Sequence, residues 1–366
     1  MRAIITVLDS INPTTMPYNE FILFRNEHYS DEKQILLLTG NEIIIPEEQI
    51  PKSLEIYKVG KNPFRIRKVL KALLRTFHEE NMQYVIHLHS IRGSFSVLLA
   101  GVGLSIRKHC IYTIHSTFYG YRVHNKALSA FNAIMANYVT CVSKTSYEAF
   151  PRIIRQMKKK HMMPLQNGVN TERIDKILSR YKEERQENQD CIKFVYVARM
   201  VPLKNHKFLI DVLDQVAADN VKFVFIGEEE DVSVKKYAQE KGVVDRIEFT
   251  GLLPREQVYS ILSTADVYMS SSTLEGLPVS VLEGMYCGLP ALLSDIPQHK
   301  ELAGKEPGIR VLKCAINEWI EAIAEFVLIP EKTRKAMGKN CKDYVKKQFS
   351  LEGMHRKYDN IYEKVQ

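Results

Sequence analysis

The sequence predicts an α/β protein built from two doubly wound, parallel-sheet domains that face each other across a cleft. Short, continuous apolar runs rich in β-branched residues alternate with amphipathic helical segments, a pattern typical of parallel strands covered by helices on both faces. This alternation stops near residue 170, gives way to a highly charged stretch and starts again at Ile192. The chain has 366 residues, of which 45% are hydrophobic, and this is enough for two hydrophobic cores.

The first domain is predicted to cover residues 1–170. Its strands are expected at 3–8, 35–38, 84–88, 111–114 and 139–142. Its helices are expected at 64–77, 93–106, 121–136 and 143–157. Gly40 is expected to close the second strand in a turn. Because helices separate successive strands, the sheet is predicted to be parallel.

The second domain is predicted to cover residues 191–348, after a charged surface helix and linker at 171–190. Its strands are expected at 192–198, 221–226, 247–250, 266–269 and 291–293, and its helices at 205–218, 232–240, 255–263 and 279–287. The tail, 316–366, is predicted to be helical throughout, with 349–366 as a separate C-terminal helix. Ligands of doubly wound sheets bind beyond the carboxyl ends of the strands, so the predicted ligand site is the cleft between the domains.

The charge of the chain is unevenly distributed. The net charge is +8, and residues 1–170 carry 22 Lys and Arg against 12 Asp and Glu, whereas 171–366 carry 29 against 31. No apolar run approaches the roughly 18 to 20 residues of a membrane-spanning helix, and the N-terminus lacks a cleavable signal pattern. The six cysteines follow no disulfide or metal-ligand spacing. These features predict a cytoplasmic protein without disulfides or zinc.

The densest basic segment, residues 64–77, predicts an amphipathic helix. Its apolar residues recur at helical spacing, and its cations are Arg65, Arg67, Lys68, Lys71 and Arg75. Two interpretations are open. The helix either packs on its own sheet with a solvated basic face, or draws the protein to an anionic membrane surface or a diphosphate-linked lipid acceptor.

Residues 265–302 predict a βαβ unit whose loop suits an anionic ligand. The strand ends in three serines and a threonine, and Pro278 is expected in the first turn of the next helix, where a missing N–H costs nothing. Free backbone N–H groups at such a helix start favour phosphate. Glu275 in the loop and Glu283 on the helix place two carboxylates beside that position, where one can meet a sugar and the other a ribose.

Three consecutive motifs of this unit resemble a known family. They are Glu275-Gly276-Leu277-Pro278, Glu283-Gly284-Met285 and Cys287-Gly288-Leu289-Pro290. Together they are similar to the E-x7-E region of the retaining nucleotide-sugar glycosyltransferases of family 4. Arg199 and Lys204, after the first strand of the second domain, resemble the R-x4-K element of that family. The resemblance implies the GT-B architecture of two Rossmann-like domains, with a last helix that crosses back to the first domain.

The resemblance also implies residue roles in the second domain. Arg199 and Lys204 would grip the donor diphosphate, Arg as a planar fork and Lys as a point charge. Glu275, with the backbone of Gly276 and Leu277 at the Pro278 turn, would bind the donor sugar, and Glu283 would bind the ribose hydroxyls.

In the first domain, His115 ends a predicted strand at the carboxyl edge of the sheet. The family places a histidine there, near the sugar and phosphate of the donor, and a structural core histidine is the alternative. Glu275, His115, Arg199 and Lys204 are therefore the expected catalytic residues. His87 and His89 share a face of one strand, which favours core packing or cleft lining over metal binding. The Asn167-Gly168-Val169-Asn170 segment resembles the family's N-G-V element, and turn chemistry alone accounts for it.

Two features depart from the family pattern or limit it. The Gly-Gly loop of the family is replaced here by residues 12–16, in which the hydroxyls of Thr14 and Thr15 are expected to substitute as donor contacts. No Asp-x-Asp occurs in the chain, so no carboxylate pair is expected to hold Mg²⁺ or Mn²⁺. Leaving-group charge would then be met by Arg199, Lys204 and helix N-termini, without a metal or other cofactor.

The residues and the family resemblance together predict a metal-independent hexosyltransferase at the inner face of the cytoplasmic membrane, and the resemblance implies that it is a retaining enzyme. Its expected reaction transfers a sugar from a nucleotide diphosphate sugar to a hydroxyl of a lipid-linked glycan, in cell-surface polysaccharide biosynthesis. One alternative is a nucleotide-sugar 2-epimerase of the same fold, which needs no acceptor. A second is a non-enzymatic binder of anionic surfaces or nucleic acid, but this leaves the motifs between Glu275 and Pro290 unexplained, so no nucleic-acid partner is expected.

Overall fold

The computed structural model of the chain describes residues 1–12, 17–44, 50–180, 191–304 and 306–365. The chain divides into two compact units. Residues 1–166 together with 352–366 form the first unit, and residues 167–351 form the second. Within the described residues, no helix has both the length and the apolar character needed to cross a membrane.

The first unit contains a seven-stranded parallel sheet with the strand order β3-β2-β1-β4-β5-β6-β7. Its strands are β1 (Arg2–Ile11), β2 (Glu32–Ile43), β3 (Glu55–Lys58), β4 (Gln83–Leu88), β5 (Cys110–Ile114), β6 (Tyr138–Cys141) and β7 (Met162–Pro164). Its helices before the second unit are α1 (Leu23–His28), α2 (Pro63–Glu79), α3 (Ile91–Ala100), α4 (Val123–Met135), α5 (Lys144–Glu148) and α6 (Arg152–Met157). The winding reverses at β1, so the carboxyl ends of β1 and β4 flank the switch point where such sheets bind ligands.

The second unit contains a six-stranded parallel sheet with the order β10-β9-β8-β11-β12-β13. Its strands are β8 (Ile192–Val197), β9 (Val221–Ile226), β10 (Ile247–Gly251), β11 (Val267–Ser270), β12 (Ala291–Ser294) and β13 (Ile309–Leu312). Its helices are α7 (Thr171–Arg180), α8 (His206–Gln215), α9 (Ser233–Glu240), α10 (Arg255–Thr264), α11 (Val279–Tyr286), α12 (Pro297–Ala303), α13 (Ile316–Leu328) and α14 (Glu331–Gln348). The winding reverses at β8, so the loops after β8 and β11 lie at its switch point.

The last helix, α15 (Leu351–Lys364), is fixed to the first unit by buried polar contacts. Arg25 is only 1% exposed, and its guanidinium donates to Glu32 at 2.6 Å and to Asp359 of α15 at 2.7 Å. The hydroxyl of Tyr362 lies 2.8 Å from Nδ1 of His87. Because a buried charge is costly unless it is paired, the pairing of Arg25 with Asp359 favours this position of α15.

The apolar strand pattern is confirmed, but several expected boundaries are wrong. Gly40 does not end a strand and lies inside β2, where a Cβ atom would stand 2.0 Å from the carbonyl oxygen of Asp9. The close approach occurs where the β1–β2 register shifts between Leu8 and Ser10. The helix expected at 143–157 is interrupted, because Pro151 lacks the N–H needed to continue it.

The structure gives the bounds of the helices in the expected linker and tail. The first half of the linker is helix α7, as expected, and it buries Ile174 and Ile177 in the second unit, whereas 181–190 lies outside the described residues. The tail consists of α13, α14 and α15, and α15 lies within the segment expected to be a separate C-terminal helix. The break before α15 exists because Val169 bridges Ser350 and its N–H donates to the carbonyl oxygen of Phe349 at 2.8 Å. The edge strands β3, β7 and β13 were not expected, since each is only three or four residues long.

The amphipathic character expected for the basic helix is confirmed in α2. Its apolar face is buried through Ile66, Leu70, Leu73 and Phe77. Arg67 is fixed by hydrogen bonds to the carbonyl oxygens of Ala100 and Val102, and Arg75 pairs with Glu79. Arg65, Lys68 and Lys71 are exposed and make no ion pair with any other described residue. The helix therefore presents a solvated row of three cations.

Candidate active site

The loops that carry the predicted donor-binding residues lie at one edge of the second sheet. Arg199 and Lys204 follow β8, Gly227 follows β9, and Glu275 follows β11. Because β8 pairs with both β9 and β11 in parallel, these three loops leave neighbouring strands at the same carboxyl edge. The topology thus brings together residues that are up to 76 positions apart in the chain.

Hydrogen bonds tie the turn before Lys204 to the serine-rich loop after β11. Ser271 Oγ donates to the carbonyl oxygens of Lys204 and Asn205, both at 3.0 Å. Thr273 N donates to the carbonyl oxygen of Leu203 at 2.9 Å, and the buried hydroxyl of Tyr196 contacts Ser272 Oγ at 2.7 Å. The serine-rich sequence therefore has a structural task, which is to hold two loops together at the sheet edge.

Lys204 and Glu275 form an ion pair as a result. Lys204 Nζ lies 2.5 Å from Glu275 Oε1, and the two side chains are 22% and 12% exposed. A charge-assisted hydrogen bond in this half-buried position is stronger than one in bulk solvent. The R-x4-K and E-x7-E motifs thus meet through their lysine and their first glutamate.

Arg199 has a different partner. Its Nη1 lies 2.6 Å from Oε1 of Glu230, and the Arg199 side chain is 60% exposed. Two backbone hydrogen bonds of Met200 hold the Glu230 loop against the Arg199 loop. The N–H of Met200 donates to the carbonyl oxygen of Glu228, and the N–H of Asp231 donates to the carbonyl oxygen of Met200. Gly227 at the start of that loop has φ +150°, and a Cβ atom there would stand 2.1 Å from the carbonyl oxygen of Ala198. Only glycine permits this approach.

Glu283, one turn into α11, is held by three residues that the sequence did not single out. Its Oε1 accepts hydrogen bonds from Tyr259 Oη at 2.7 Å and Arg255 Nη1 at 2.9 Å, and Arg173 Nη2 lies 3.7 Å away. Burial, and then the neighbouring carboxylate, raise the pKa of Tyr259 above its usual range. All of these contacts go to Oε1, so Oε2 has no hydrogen-bond partner among the described residues.

The turn between Glu275 and α11 differs slightly from expectation. Pro278 immediately precedes the first helical residue, Val279, and does not occupy the first turn. Leu277 is buried, at 7% exposure. The backbone N–H groups of Gly276 and Leu277 find no acceptor in the described part of the chain. Both N–H groups are thus unpaired donors within the described residues, next in the chain to Glu275.

A buried histidine, His299, contacts the first serine of the serine-rich segment and the end of β12. His299 is fully buried, with Nδ1 2.9 Å from the carbonyl oxygen of Ser294 and Nε2 3.4 Å from Ser270 Oγ. Burial lowers the pKa of His299 to about 4. Ser294 Oγ in turn donates to the carbonyl oxygen of Ser272 at 2.5 Å. No sequence pattern indicates this role, because a single histidine on a short helix belongs to no recognisable motif.

In the first unit, His115 lies directly after β5 and contacts one other histidine. Its Nε2 is 2.9 Å from Nδ1 of His89, and burial lowers the pKa of His115 to about 4. His87 packs against His89 with a ring separation of 4.0 Å, and its two nitrogens contact Tyr362 and Thr113. Thr14 and Thr15 lie outside the described residues.

No group of three His, Cys, Asp or Glu side chains suited to a metal ion occurs in the part of the chain that the structure describes. The Gly168 of the N-G-V element faces the backbone of Leu351 so closely that a Cβ atom would stand 2.5 Å away. Asn170 Oδ1 accepts from the N–H of Arg173 at the start of α7 at 2.9 Å. Packing and helix capping thus account for this element.

Comparison with known proteins shows what the chain is similar to. Residues 179–344 match the family model described as glycosyl transferases group 1. The putative glycosyltransferase EpsF of Bacillus subtilis is 25% identical over 327 residues, which cover 83% of this chain and 78% of that protein. The Escherichia coli UDP-Gal:alpha-D-GlcNAc-diphosphoundecaprenol alpha-1,3-galactosyltransferase is 23% identical over 316 residues, which cover 81% of this chain and 79% of that protein. These matches support a family 4-like glycosyltransferase assignment for the chain.

The fold of this glycosyltransferase agrees with that of solved relatives. The crystal structure of HepE from Anabaena, in complex with UDP and glucose, superposes with a TM-score of 0.78 at 14% identity and covers 99% of this chain and 100% of that one. The two Rossmann-like parallel sheets of the GT-B type, and the family resemblance carried by the motifs, are confirmed.

Proposed function

We propose that this glycosyltransferase is a retaining hexosyltransferase that uses a UDP-linked sugar as its donor. The observation that carries the proposal is that Arg199, Lys204 and Glu275 lie on neighbouring loops at one edge of the second sheet, with Glu283 on the helix that follows the Glu275 loop. Two cations there match a diphosphate, and two carboxylates match the hydroxyls on either side of it. The choice of UDP is supported by the UDP complex of HepE and by the UDP-Gal donor named for the Escherichia coli relative.

Glu283 is the proposed ribose ligand. Its Oε1 is occupied by Tyr259 and Arg255, while Oε2 has no partner among the described residues. Because Oε1 is already anchored, Oε2 can accept a hydrogen bond from a hydroxyl group without rearrangement of the carboxylate. This arrangement supports Glu283 as a preorganised acceptor of ribose hydroxyl groups.

Lys204 and Arg199 are the proposed diphosphate ligands. The Lys204 ammonium carries three donors, and its contact with Glu275 uses one of them. Arg199 is the more exposed of the two and would exchange its Glu230 partner for phosphate oxygens. Glu275 and the N–H groups of Gly276 and Leu277 would then meet the sugar hydroxyls.

In the proposed reaction the bond between the anomeric carbon and the diphosphate oxygen breaks, and a bond to the acceptor oxygen forms on the same face. The proton of the acceptor hydroxyl passes to the departing phosphate oxygen. Such a displacement needs oriented cations more than a protein nucleophile. We propose no essential metal, because the charge of the leaving group is met by Arg199 and Lys204. Full activity in the presence of EDTA is the expected result, and loss that Mn²⁺ restores would contradict it.

The proposed acceptor is a lipid-linked glycan reached at an anionic membrane surface. Two features of the first unit support this. Helix α2 presents Arg65, Lys68 and Lys71 to solvent. Beside it lies an open cavity of about 570 Å³, whose lining combines apolar side chains with three cations, Lys52, Lys58 and Arg65. A surface that combines apolar groups with positive charge suits an amphiphile with a phosphate head group.

The donor is tested by thermal unfolding with UDP, GDP, ADP and CDP, because a ligand of the folded state raises the midpoint. A shift with UDP and with no other nucleotide is expected, and a shift with GDP alone would overturn the choice of base. The anomeric configuration of the product, read by NMR, tests retention. Incubation of the UDP-sugar without acceptor tests the 2-epimerase alternative, in which a new nucleotide sugar would accumulate.

The membrane proposal is tested with vesicles of anionic and neutral phospholipid. Exchange of Arg65, Lys68 and Lys71 for Gln removes about 1 kcal/mol per charge, so binding should weaken by about two orders of magnitude. A matched triple exchange of Lys332, Lys339 and Lys347, which are exposed on α14 of the second unit, removes the same charge and should leave vesicle binding nearly unchanged. If the two triple variants lost vesicle binding equally, the effect would be due to net charge alone and not to the position of the cations on α2.

A further inference from the structure

The positive charge of the first 170 residues lies entirely in their second half. Residues 1–80 carry 11 Lys and Arg against 11 Asp and Glu, whereas residues 81–170 carry 11 against a single acidic residue, Glu148. Oε1 of that glutamate lies 3.7 Å from Nζ of Lys144, one turn away on α5. A stretch of ninety residues thus has almost no carboxylate to balance its cations.

The helices of this stretch belong to one layer on the first sheet. Helices α3, α4 and α6 cover the same face as α2, because their buried residues share one core with Ile66 of α2 and with alternate strand residues such as Ile86. The opposite face is covered by α15, where the hydroxyl of Tyr358 lies 3.1 Å from Oγ1 of Thr140 in β6. The outer side of the helix layer is therefore a basic surface.

Helix α6, at the end of this layer, leaves two apolar side chains in solvent. Ile153 is 72% exposed and Met157 is 65% exposed. Residues four apart lie on the same side of a helix, so the two side chains are neighbours. Ile154 points the other way and is buried in the core of the unit. The exposed pair is thus an apolar face that no other described part of the chain covers.

Cations border this apolar face. Two of them have structural partners, since Arg155 donates to the carbonyl oxygen of Phe150 at 2.9 Å and Lys158 donates to that of Ala136. Three others are exposed, and their side chains make no ion pair or hydrogen bond with any other described residue. These three are Arg152, Lys159 and Lys160.

An anionic phospholipid surface matches this combination. Apolar side chains can enter the boundary between head groups and acyl chains, while neighbouring lysines and arginines meet the phosphate groups. An acidic protein would also match the cations. Cations spread over a whole helix layer, however, fit the diffuse negative charge of a lipid surface better than the localised carboxylates of one protein partner.

We propose that α6 anchors the first unit to an anionic phospholipid surface, with Ile153 and Met157 inserted between the head groups and Arg152, Lys159 and Lys160 bound to their phosphates. The anchor rests on the membrane association proposed above and names the part of the unit that enters the lipid. Helix α2, in the same layer, adds electrostatic attraction, whereas α6 supplies the apolar insertion.

Co-sedimentation of the full-length protein with vesicles of phosphatidylglycerol and phosphatidylcholine tests the charged part of the anchor. Exchange of the three exposed α6 cations for Gln should weaken binding about a hundredfold, from about fivefold for each charge. The triple exchange of Lys332, Lys339 and Lys347 on α14 removes the same net charge and should leave binding nearly unchanged.

The apolar part of the anchor is tested without a change of charge. Ile153→Ser combined with Met157→Ser should weaken vesicle binding about tenfold, because two side chains lose their contact with the acyl boundary. Val232→Ser combined with Leu328→Ser is the matched control, since these residues are equally exposed in the second unit. Urea unfolding of each variant should show an unchanged midpoint, because every exchanged side chain is exposed.

Insertion is read directly from the fluorescence of Met157→Trp. The natural Trp319 is fully buried in the second unit, so brominated acyl chains can reach only the introduced indole. Quenching by brominated phosphatidylglycerol vesicles is expected in Met157→Trp, and none is expected in Val232→Trp.

Unchanged vesicle binding in the serine pair, or absence of quenching in Met157→Trp, would overturn the anchor. Equal losses from the α6 and α14 triple variants would also overturn it, since net charge alone would then explain binding. Binding to polyglutamate that depends on the α6 cations, without binding to vesicles, would assign the surface to an acidic protein and overturn the lipid proposal. The vesicle assays contain no donor or acceptor, so their failure leaves the UDP-dependent transfer to its own test by thermal unfolding.

Discussion

The ion pair between Lys204 and Glu275 gives the sharpest test of the proposed donor site. We consider Lys204→Ala, Glu275→Gln and the double variant. Lys204 Nζ lies 2.5 Å from Glu275 Oε1, and the side chains are 22% and 12% exposed. The pair therefore stands between an exposed ion pair, worth at most about 1 kcal/mol, and a buried charge-assisted bond, worth about 1.5 to 3 kcal/mol.

Stability and activity should both fall in Lys204→Ala but respond differently to the second substitution. Lys204→Ala leaves the Glu275 carboxylate half-buried without its cation, so the free energy of unfolding should fall by about 1 to 2 kcal/mol. Adding Glu275→Gln removes that uncompensated charge and should restore about half of the loss. Turnover should fall by about two to three orders of magnitude in Lys204→Ala, the usual effect of losing one preorganised donor to developing charge. The double variant should recover none of it.

The assay combines urea unfolding with initial rates of transfer from the UDP-sugar that binds best. Lys241→Ala is the control, because Lys241 pairs with Asp211 at 3.2 Å at the end of α9 in the same unit and has no proposed substrate contact. It should leave turnover unchanged. If the double variant regained most of its activity, Lys204 would be only the counter-ion of Glu275, and its role at the diphosphate would be wrong.

Four further outcomes are expected. Arg199→Ala should lower turnover by about two to three orders of magnitude, whereas Glu230→Gln, which only releases the guanidinium, should stay within about threefold of the parent rate. Tyr259→Phe removes one hydrogen bond to Glu283 and should weaken UDP binding about tenfold in calorimetry. Unchanged affinity would contradict the proposed contact between Glu283 and the ribose. Burial lowers the pKa of His206 from 6.5 to about 4, so between these values the unfolded chain binds a proton that the folded chain does not, and stability falls as the pH drops below 6.5. The free energy of unfolding should be about 2 kcal/mol lower at pH 5 for this reason. Urea unfolding at pH 7 and pH 5 measures this difference, and His206→Phe should lack the contribution of His206. Gly284→Ala should destabilise the second unit by about 1 to 3 kcal/mol, because its Cβ would stand 2.1 Å from the ring of Tyr268; an unchanged urea midpoint would mean that α11 shifts freely.

The strands of the two central sheets could be predicted because each is a continuous apolar run buried on both faces. Edge strands such as β13 are only four residues long and partly exposed, so their composition does not separate them from loops. Gly40 was misjudged for a related reason. Glycine in a strand marks either a turn or a close approach of another backbone, and only the register shift of β1 against β2 distinguishes the two.

The site was predictable where a motif carried it and not where the fold assembled it. Glu275, Glu283, Arg199 and Lys204 stand in patterns of fixed spacing that can be recognised in one sequence. Tyr259, Arg255 and Arg173 come from two helices outside those patterns and converge on Glu283 only in the folded chain. The same holds for Glu230 beside Arg199 and for His89 beside His115.

The proposed site charges of the second unit are paired with one another or with neighbouring side chains. Lys204 is matched by Glu275, Arg199 by Glu230, and Glu283 by Arg255. In the proposed complex, a diphosphate at this sheet edge would replace Glu230 as the partner of Arg199, and at Lys204 it would join the existing pair with Glu275. Binding would therefore remove little additional water from the two cations. Such an exchange contributes less affinity than a bare cation would, because the carboxylates must give way first. The same carboxylates keep the cations aimed at the sheet edge before the donor arrives, and preorganised charge lowers a barrier more than it tightens ground-state binding. We therefore expect neutralisation of Glu230 to tighten UDP binding slightly while the rate of transfer changes little, because Glu230 only pairs with a cation. Loss of Glu275 should instead lower the rate of transfer, which distinguishes the two carboxylates.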